Sequence, residues 1–346
     1  ADGPTGLIWW IFPLTHTVFG ARLVTTVTDA GLTFAGKPLD AAADSLGELR
    51  RSDDIAHDAD ALRSRVAEDG YLYLPGLLDR DQVMDARREV LRRLAEGGVV
   101  DDVDHDLMAG IVKPDSSINF APNLARDNAP LDKVLYSGAM MDFYERFLGG
   151  PVRHFDYTWF RAKTPGPTTA TQPHYDVVYM GRGTKNLWTS WTPLGDVPLE
   201  SGGLIVLEGS HKIEALRDGY GSTDVDKFCA NENEADRIVE EAQAQERELT
   251  SEESQLIHWQ GRGSFSADAI ATRAQLGGRW LTATYEAGDL LVLSIHTMHA
   301  SSDNQTRSIR LSSDSRYQLA SEPADERWIG DNPPLHGIRA KRGLIC

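Results

Sequence analysis

Residues 186–208 read Asn186-Leu-Trp-Thr-Ser-Trp-Thr-Pro-Leu-Gly-Asp-Val-Pro-Leu-Glu-Ser-Gly-Gly-Leu-Ile-Val-Leu-Glu208. Two short runs of β-branched, aromatic and aliphatic residues, 186–194 and 203–208, flank a turn rich in Gly and Pro. This is the grammar of strands joined by tight connections. Outward from it the same grammar recurs at 152–163, 174–180, 279–285, 289–296 and 308–318. Without long helices between most of these runs, they predict an antiparallel sandwich or jelly roll. The one long interruption, 212–279, is acidic and helix-prone in its middle, Glu232 to Glu248. It reads as an insertion between two strands, placed to act as a lid.

Upstream the pattern is helical. Asp58 to Asp69 predicts a helix, and Gly70-Tyr-Leu-Tyr-Leu-Pro-Gly76 a strand closed by a turn. Asp79 or Asp81 can cap a helix to about Glu96, with Val83, Ala86, Val90, Leu91 and Leu94 on one face and Gly97-Gly98 as its stop. Leu131 to Leu148 predicts a second amphipathic helix. The expected organisation is an N-terminal extension (1–54) with short strands near Arg22–Val27 and Gly31–Phe34, a catalytic-type domain (55–320) and a tail (321–346). The fold class is mainly β with flanking helices (α+β): a jelly-roll core, N-terminal helices and a partly helical insertion.

With 346 residues, 41% of them hydrophobic, the chain can bury a sizeable core, which excludes a disordered or fibrous protein. Thirty-five Lys and Arg against 52 Asp and Glu give a charge of -17, which repels phosphate backbones and anionic lipid. Neither a nucleic acid nor a membrane is therefore expected as partner. The most apolar stretch, Leu7 to Phe19, is too short and interrupted to span a bilayer and lacks the features of a secretory signal. Two cysteines, Cys229 and Cys346, form no disulfide framework, and a cytoplasmic location is expected. Monomer and homodimer both stay open.

The chemistry is carried by Gln172-Pro-His174-Tyr-Asp176 and by Gly288-Asp-Leu-Leu-Val-Leu-Ser-Ile-His296-Thr-Met-His299-Ala-Ser301, followed by Arg310 and Ser312. On an extended strand, residues two apart share a face, so His174 and Asp176 can point into one barrel mouth. A histidine from a late strand, His296 or His299, completes two imidazoles and a carboxylate. That set leaves three adjacent positions on Fe(II) for a bidentate 2-oxo acid and O2. Arg310, on a strand returning beside His299, can clamp a distal carboxylate with its planar fork, and Ser312 shares its face.

These motifs, in this order, resemble the phytanoyl-CoA dioxygenase-like family of Fe(II)/2-oxoglutarate oxygenases. The likeness is carried by 70–76 with its helix, His174-Tyr-Asp176, Trp191-Thr-Pro-Leu-Gly with 202–212, and Gly288-Asp289 through His299-x-Ser301 to Arg310. The resemblance implies a double-stranded β-helix and decarboxylation of 2-oxoglutarate to succinate and CO2, coupled to oxidation of a small molecule, usually hydroxylation of an unactivated carbon. It selects His299 over His296 as third ligand, and Arg310, Ser312, Trp191 and Ser301 as the cosubstrate's contacts. A retained Asp176 favours hydroxylation, desaturation or ring formation over halogenation. Arg161, Lys163 and Tyr175 are the candidate substrate contacts. His16, His57, His105, His154, His211, His258 and His336 are expected in structural or surface roles. The rival expectations are a cupin-like metalloenzyme that uses no keto acid and a non-catalytic jelly-roll binding protein.

Overall fold

Strand 310–319 explains why the site forms where it does. Its residues alternate between two faces, as the period of a strand requires. Leu311 and Tyr317 belong to a cluster shared with the flanking helices, whereas Arg310, Asp314 and Arg316 face a cavity on the other side. The computed structural model describes residues 26–229, 235–256, 263–336, 340 and 342–344. Residues 1–25, with the start of the strand expected at 22–27, the Leu7–Phe19 stretch and His16, lie outside the described residues, as do His258 and Cys346.

Two sheets face one another. The larger has the order Tyr71–Leu74, Leu290–Ser294, Trp188–Pro193, Arg310–Leu319 and Val152–His154, with Trp159–Lys163 also pairing with Arg310–Leu319. The smaller has the order His299–Ser301, Leu204–Leu207, Trp280–Thr282 and Leu46–Glu48. Within these two sheets every strand pairing is antiparallel except that of Trp280–Thr282 with Leu46–Glu48. Residues 46–48, read as part of the extension, thus close the edge of the small sheet. Trp191, Leu291, Leu293, Val206 and Tyr285 pack between the sheets.

The helices Ala59–Asp69 and Arg80–Glu96 begin on Asp58 and Asp79, whose carboxylates accept hydrogen bonds from the first-turn amides. The first ends at Gly70, φ +81°, where an added Cβ would lie 2.4 Å from the His211 ring, so the turn into the strand requires glycine. Val83, Ala86, Val90, Leu91 and Leu94 are all buried against the large sheet's outer face, as the 3.6-residue period requires. Each aliphatic side chain larger than alanine there contributes about 1.5–3 kcal/mol of burial.

The helix expected at Leu131–Leu148 is two helices, Ala129–Tyr136 and Gly138–Leu148. Ser137 between them is extended (φ −149°, ψ 175°), and its hydroxyl donates to the Lys133 carbonyl. A local side-chain bond at a Ser-Gly pair competes with the helical ladder, which apolar periodicity cannot register. Within 212–279 the described residues include helices Glu214–Asp218, Ala235–Ala244, Ser251–Leu256 and Ala269–Leu276. Among the described residues no helix is long and apolar enough to cross a membrane.

Candidate metal centre

His299 lies in the small sheet opposite Val206 and exchanges two backbone hydrogen bonds with His174, of 3.0 and 3.1 Å. The chain was expected to continue extended from there to residue 180, but it does not. Asp176 is helical (φ −67°, ψ −29°) and opens a single helical turn, Val177–Met180. The segment makes a single bridge, His174 to His299, and the amides of Tyr179 and Met180 then close onto the Asp176 carbonyl. The turn still delivers Asp176 Oδ1 to 3.7 Å from His174 Nε2 and 3.9 Å from His299 Nε2.

Every other polar atom of the three side chains is engaged. His174 Nδ1 meets the Gln172 carbonyl at 2.7 Å and His299 Nδ1 meets that of Thr297 at 3.0 Å. A carbonyl only accepts, so each Nδ1 carries the proton and each Nε2 presents a lone pair. Asp176 Oδ2 accepts from the Thr189 hydroxyl and, at 3.1 Å, from Arg316 Nη2, leaving Oδ1 free. Three free ligand atoms, one from each residue, lie within 4.8 Å of one another, and no other such group occurs among the described residues.

Burial and the neighbouring His299 push His174 down to about 3, so its ring is neutral near pH 7. Burial alone would raise Asp176, but Arg316, both histidines and the Thr189 hydroxyl outweigh it and hold the carboxyl well below the usual range. A buried carboxylate with two imidazole nitrogens suits a divalent first-row metal, and the two Nδ1 bonds and the Thr189 bond orient the ligands for it.

A cavity of about 360 Å³ adjoins this cluster, and Arg310 lies on its wall. Its strand was expected to run beside that of His299 but does not; residues 302–309 cross to the opposite sheet, so guanidinium and ligands face each other across the barrel. Arg310 is 3% exposed and donates to the Gly202 carbonyl (3.1 Å) and the Ser312 hydroxyl; no carboxylate among the described residues pairs with it. Burial and Arg161 press it down to about 9, which leaves it charged at neutral pH. A buried cation without a counter-ion is costly unless an anion is meant to fill the gap. Trp191 stands beside it, ring centroid 5.9 Å from the guanidinium carbon, with its buried Nε1–H unpartnered. Ser301 Oγ accepts from Lys163 Nζ at 2.6 Å and from the Thr171 amide at 2.8 Å. Both lone pairs are thereby taken, and its own O–H is left to donate into the cavity.

Of the other expected site residues, Arg161 lines the cavity. Lys163 lies behind Ser301, fully buried and bonded to carbonyls of Ser302 and Gly202, and Ser312 lies behind Arg310. Tyr175 is turned away, its hydroxyl on the Ser210 carbonyl. His296 borders a separate hollow with Arg217 and Lys185, where burial pushes it down to about 4. Among the wall residues that the sequence does not mark as part of the site are Asp314, Arg316 and His336. Counting by twos from Arg310 along its strand reaches both Asp314 and Arg316. His336, bonded to Asp226 at 2.8 Å, had no local signal.

Comparison with known proteins fits this geometry. Two curated relatives are the 1-deoxypentalenic acid 11-beta-hydroxylases of Streptomyces exfoliatus (29% identical over 174 residues, 49% of this chain and 60% of that protein) and Streptomyces arenae (27% over 169 residues, 46% and 56%). The chain thus spans about three fifths of the length of these relatives. The same fold occurs in the non-heme alpha ketoglutarate dependent epimerase SnoN from nogalamycin biosynthesis (TM-score 0.50, 17% identity, 79% of this chain and 91% of that one). It occurs also in EctD from S. alaskensis, solved with 2-oxoglutarate and 5-hydroxyectoine (TM-score 0.50, 16% identity, 84% and 86%). The family model for phytanoyl-CoA dioxygenase (PhyH) matches residues 66–312, more than two thirds of the sequence, and the chain belongs to that family.

Proposed function

We propose that this chain is a non-haem Fe(II)- and 2-oxoglutarate-dependent oxygenase that oxidises, by hydroxylation, an unactivated C–H bond of a small metabolite. One observation carries the reading: three unengaged ligand atoms converge within 4.8 Å across the cavity from a buried arginine that has no counter-ion among the described residues. In this scheme His174 Nε2, Asp176 Oδ1 and His299 Nε2 hold the metal. Arg310, with Ser312 fixing its guanidinium, seats the distal carboxylate of 2-oxoglutarate, and the Ser301 O–H and Trp191 Nε1–H face the same space. Bound Fe(II) with 2-oxoglutarate and O2 supplies the oxidation, one oxygen atom going to succinate and the other to the substrate carbon, with release of CO2.

The remaining tasks fall to the chain. Thr189 and Arg316 keep Asp176 ionised and aimed, and the carbonyls of Gln172 and Thr297 keep both imidazoles in the ligating tautomer. The aromatic walls Trp159 and Trp191 restrict water. Residues 55–320 act as the oxygenase domain. The insertion works as a lid through its 263–265 segment, where Phe265 N–H donates to the Pro173 carbonyl one residue from His174 and Ser264 reaches the cavity. The names of the relatives, hydroxylases acting on 1-deoxypentalenic acid, support a small-molecule substrate.

The experiment is succinate formation from 2-oxoglutarate under Fe(II) and O2 over a panel of small metabolites. Stimulated turnover in the wild type and its loss in His174→Ala and Arg310→Met is the expected result. Turnover retained in Asp176→Ala would contradict the scheme.

A further inference from the structure

Following each ion pair in the cavity through to its partner leaves one positive charge over. Arg161, Arg310 and Arg316 face this space with Asp176 and Asp314. The count rests on the function proposed above: Asp176 and one keto-acid carboxylate balance a divalent metal, and the other carboxylate balances Arg310. Arg161 and Asp314 offset each other at 3.7 Å. Lys163 lies behind the wall, its Nζ taken up by Ser301 Oγ and the carbonyls of Gly202 and Ser302, and it does not face the cavity. His336 is engaged by Asp226. The surplus cation is Arg316.

Arg316 is built to receive something. It is 3% exposed, its guanidinium lies over the Trp159 ring at 4.3 Å, and Nη2 is committed to Asp176. Its Nη1 is buried and has no partner. An orphaned donor on a buried cation is expensive unless an acceptor arrives. The Arg161 guanidinium, opening on the same cavity, makes no hydrogen bond among the described residues and lies over the exposed Phe120 ring at 5.5 Å. Besides Asp314, the lining offers apolar surface on Trp159, Met180 and Leu204.

We propose that the substrate is an apolar monocarboxylic acid, its carboxylate received by Arg316 Nη1 and Arg161 and its hydrocarbon body laid along Trp159 and Met180 toward the metal. A single surplus charge fits a carboxylate. A phosphate dianion would leave an unbalanced negative charge beside Asp314 and Asp176. Planar arginine forks match carboxylate oxygens in geometry as well as charge.

The test uses the whole protein loaded with Mn(II) and saturating 2-oxoglutarate, so that no turnover occurs and Arg310 is occupied. Octanoate, cyclohexanecarboxylate and 1-adamantanecarboxylate are each titrated calorimetrically against the corresponding neutral amide. The expected result is an acid-over-amide preference of about tenfold or more for at least one scaffold. That preference should collapse in Arg161→Gln and in Arg316→Lys, the latter keeping a cation beside Asp176. Mn(II) and 2-oxoglutarate affinities measured on the same variants separate this from damage to the centre. Equal binding of acids and amides, no acid bound, or a preference untouched by both substitutions overturns the inference. Wild-type protein that fails to bind 2-oxoglutarate sinks the function proposed above instead, so the two failures are distinct.

Discussion

Replacing Arg310 by methionine should weaken 2-oxoglutarate binding and at the same time leave the ligand-free protein no less stable. The two effects share one cause. Arg310 is 3% exposed and its guanidinium reaches only the Gly202 carbonyl and the Ser312 hydroxyl, with no carboxylate among the described residues to offset its charge. Truncating one partner of a buried charged pair costs roughly 2–5 kcal/mol, which at about 1.4 kcal/mol per decade is ~30- to ~3,000-fold in affinity. Without the keto acid that pair does not exist, and an apolar side chain of similar length removes a desolvated cation. Titration of 2-oxoglutarate into the Mn(II) protein reads the first effect, and the midpoint of thermal unfolding without ligand reads the second. In the wild type 2-oxoglutarate should raise the midpoint; in Arg310→Met it should not. Unchanged affinity, or a ligand-free midpoint lowered by several degrees, would show that Arg310 is a structural cation and refute the reasoning.

Thr189→Val removes the hydroxyl that donates to Asp176 Oδ2 while keeping shape, and should weaken Mn(II) binding by about 10- to 100-fold, read by equilibrium dialysis. His296→Gln should leave metal affinity unchanged but alter the response to acid. Burial and the nearby Arg217 and Lys185 hold His296 at about 4, below its unfolded value of 6.5, so the unfolded chain takes the proton first and stability falls as pH drops from 6.5 toward 4. The variant should flatten that fall in a series of thermal midpoints. Gly202→Ala places a Cβ 2.9 Å from the Ser302 carbonyl at φ +79° and displaces the carbonyl that holds Arg310 and Lys163. Thermal midpoint and 2-oxoglutarate affinity should therefore drop together, measured on one preparation.

Where side-chain alternation or helical period decides the structure, the sequence was enough. The runs at 186–194 and 203–208 became strands because their β-branched, aromatic and aliphatic residues are buried along nearly their whole length, that at 308–318 because its side chains alternate between two faces, and the buried stripe of the Arg80–Glu96 helix follows from its spacing. What stayed hidden depends on partners far away in the chain. His174 and Asp176 meet through a single bridge to His299, 125 residues away in sequence, and a helical turn. Leu46–Glu48 is three residues long and pairs in parallel with Trp280–Thr282, a match that nothing local announces. The Ser137 break hides inside an apolar pattern that runs through it. His336 reaches the cavity only because the tail packs onto Asp226. Arg316 is different: its position six residues past Arg310 on one strand puts it on the same face, although no motif marks it.

The most direct measurement is an anaerobic crystal structure with Fe(II) and 2-oxoglutarate, the metal located by anomalous scattering at the iron edge. The account predicts iron on His174 Nε2, Asp176 Oδ1 and His299 Nε2, with the far carboxylate of the keto acid on Arg310. Iron bound elsewhere, or a keto acid that leaves the Arg310 guanidinium without an anion, would contradict it.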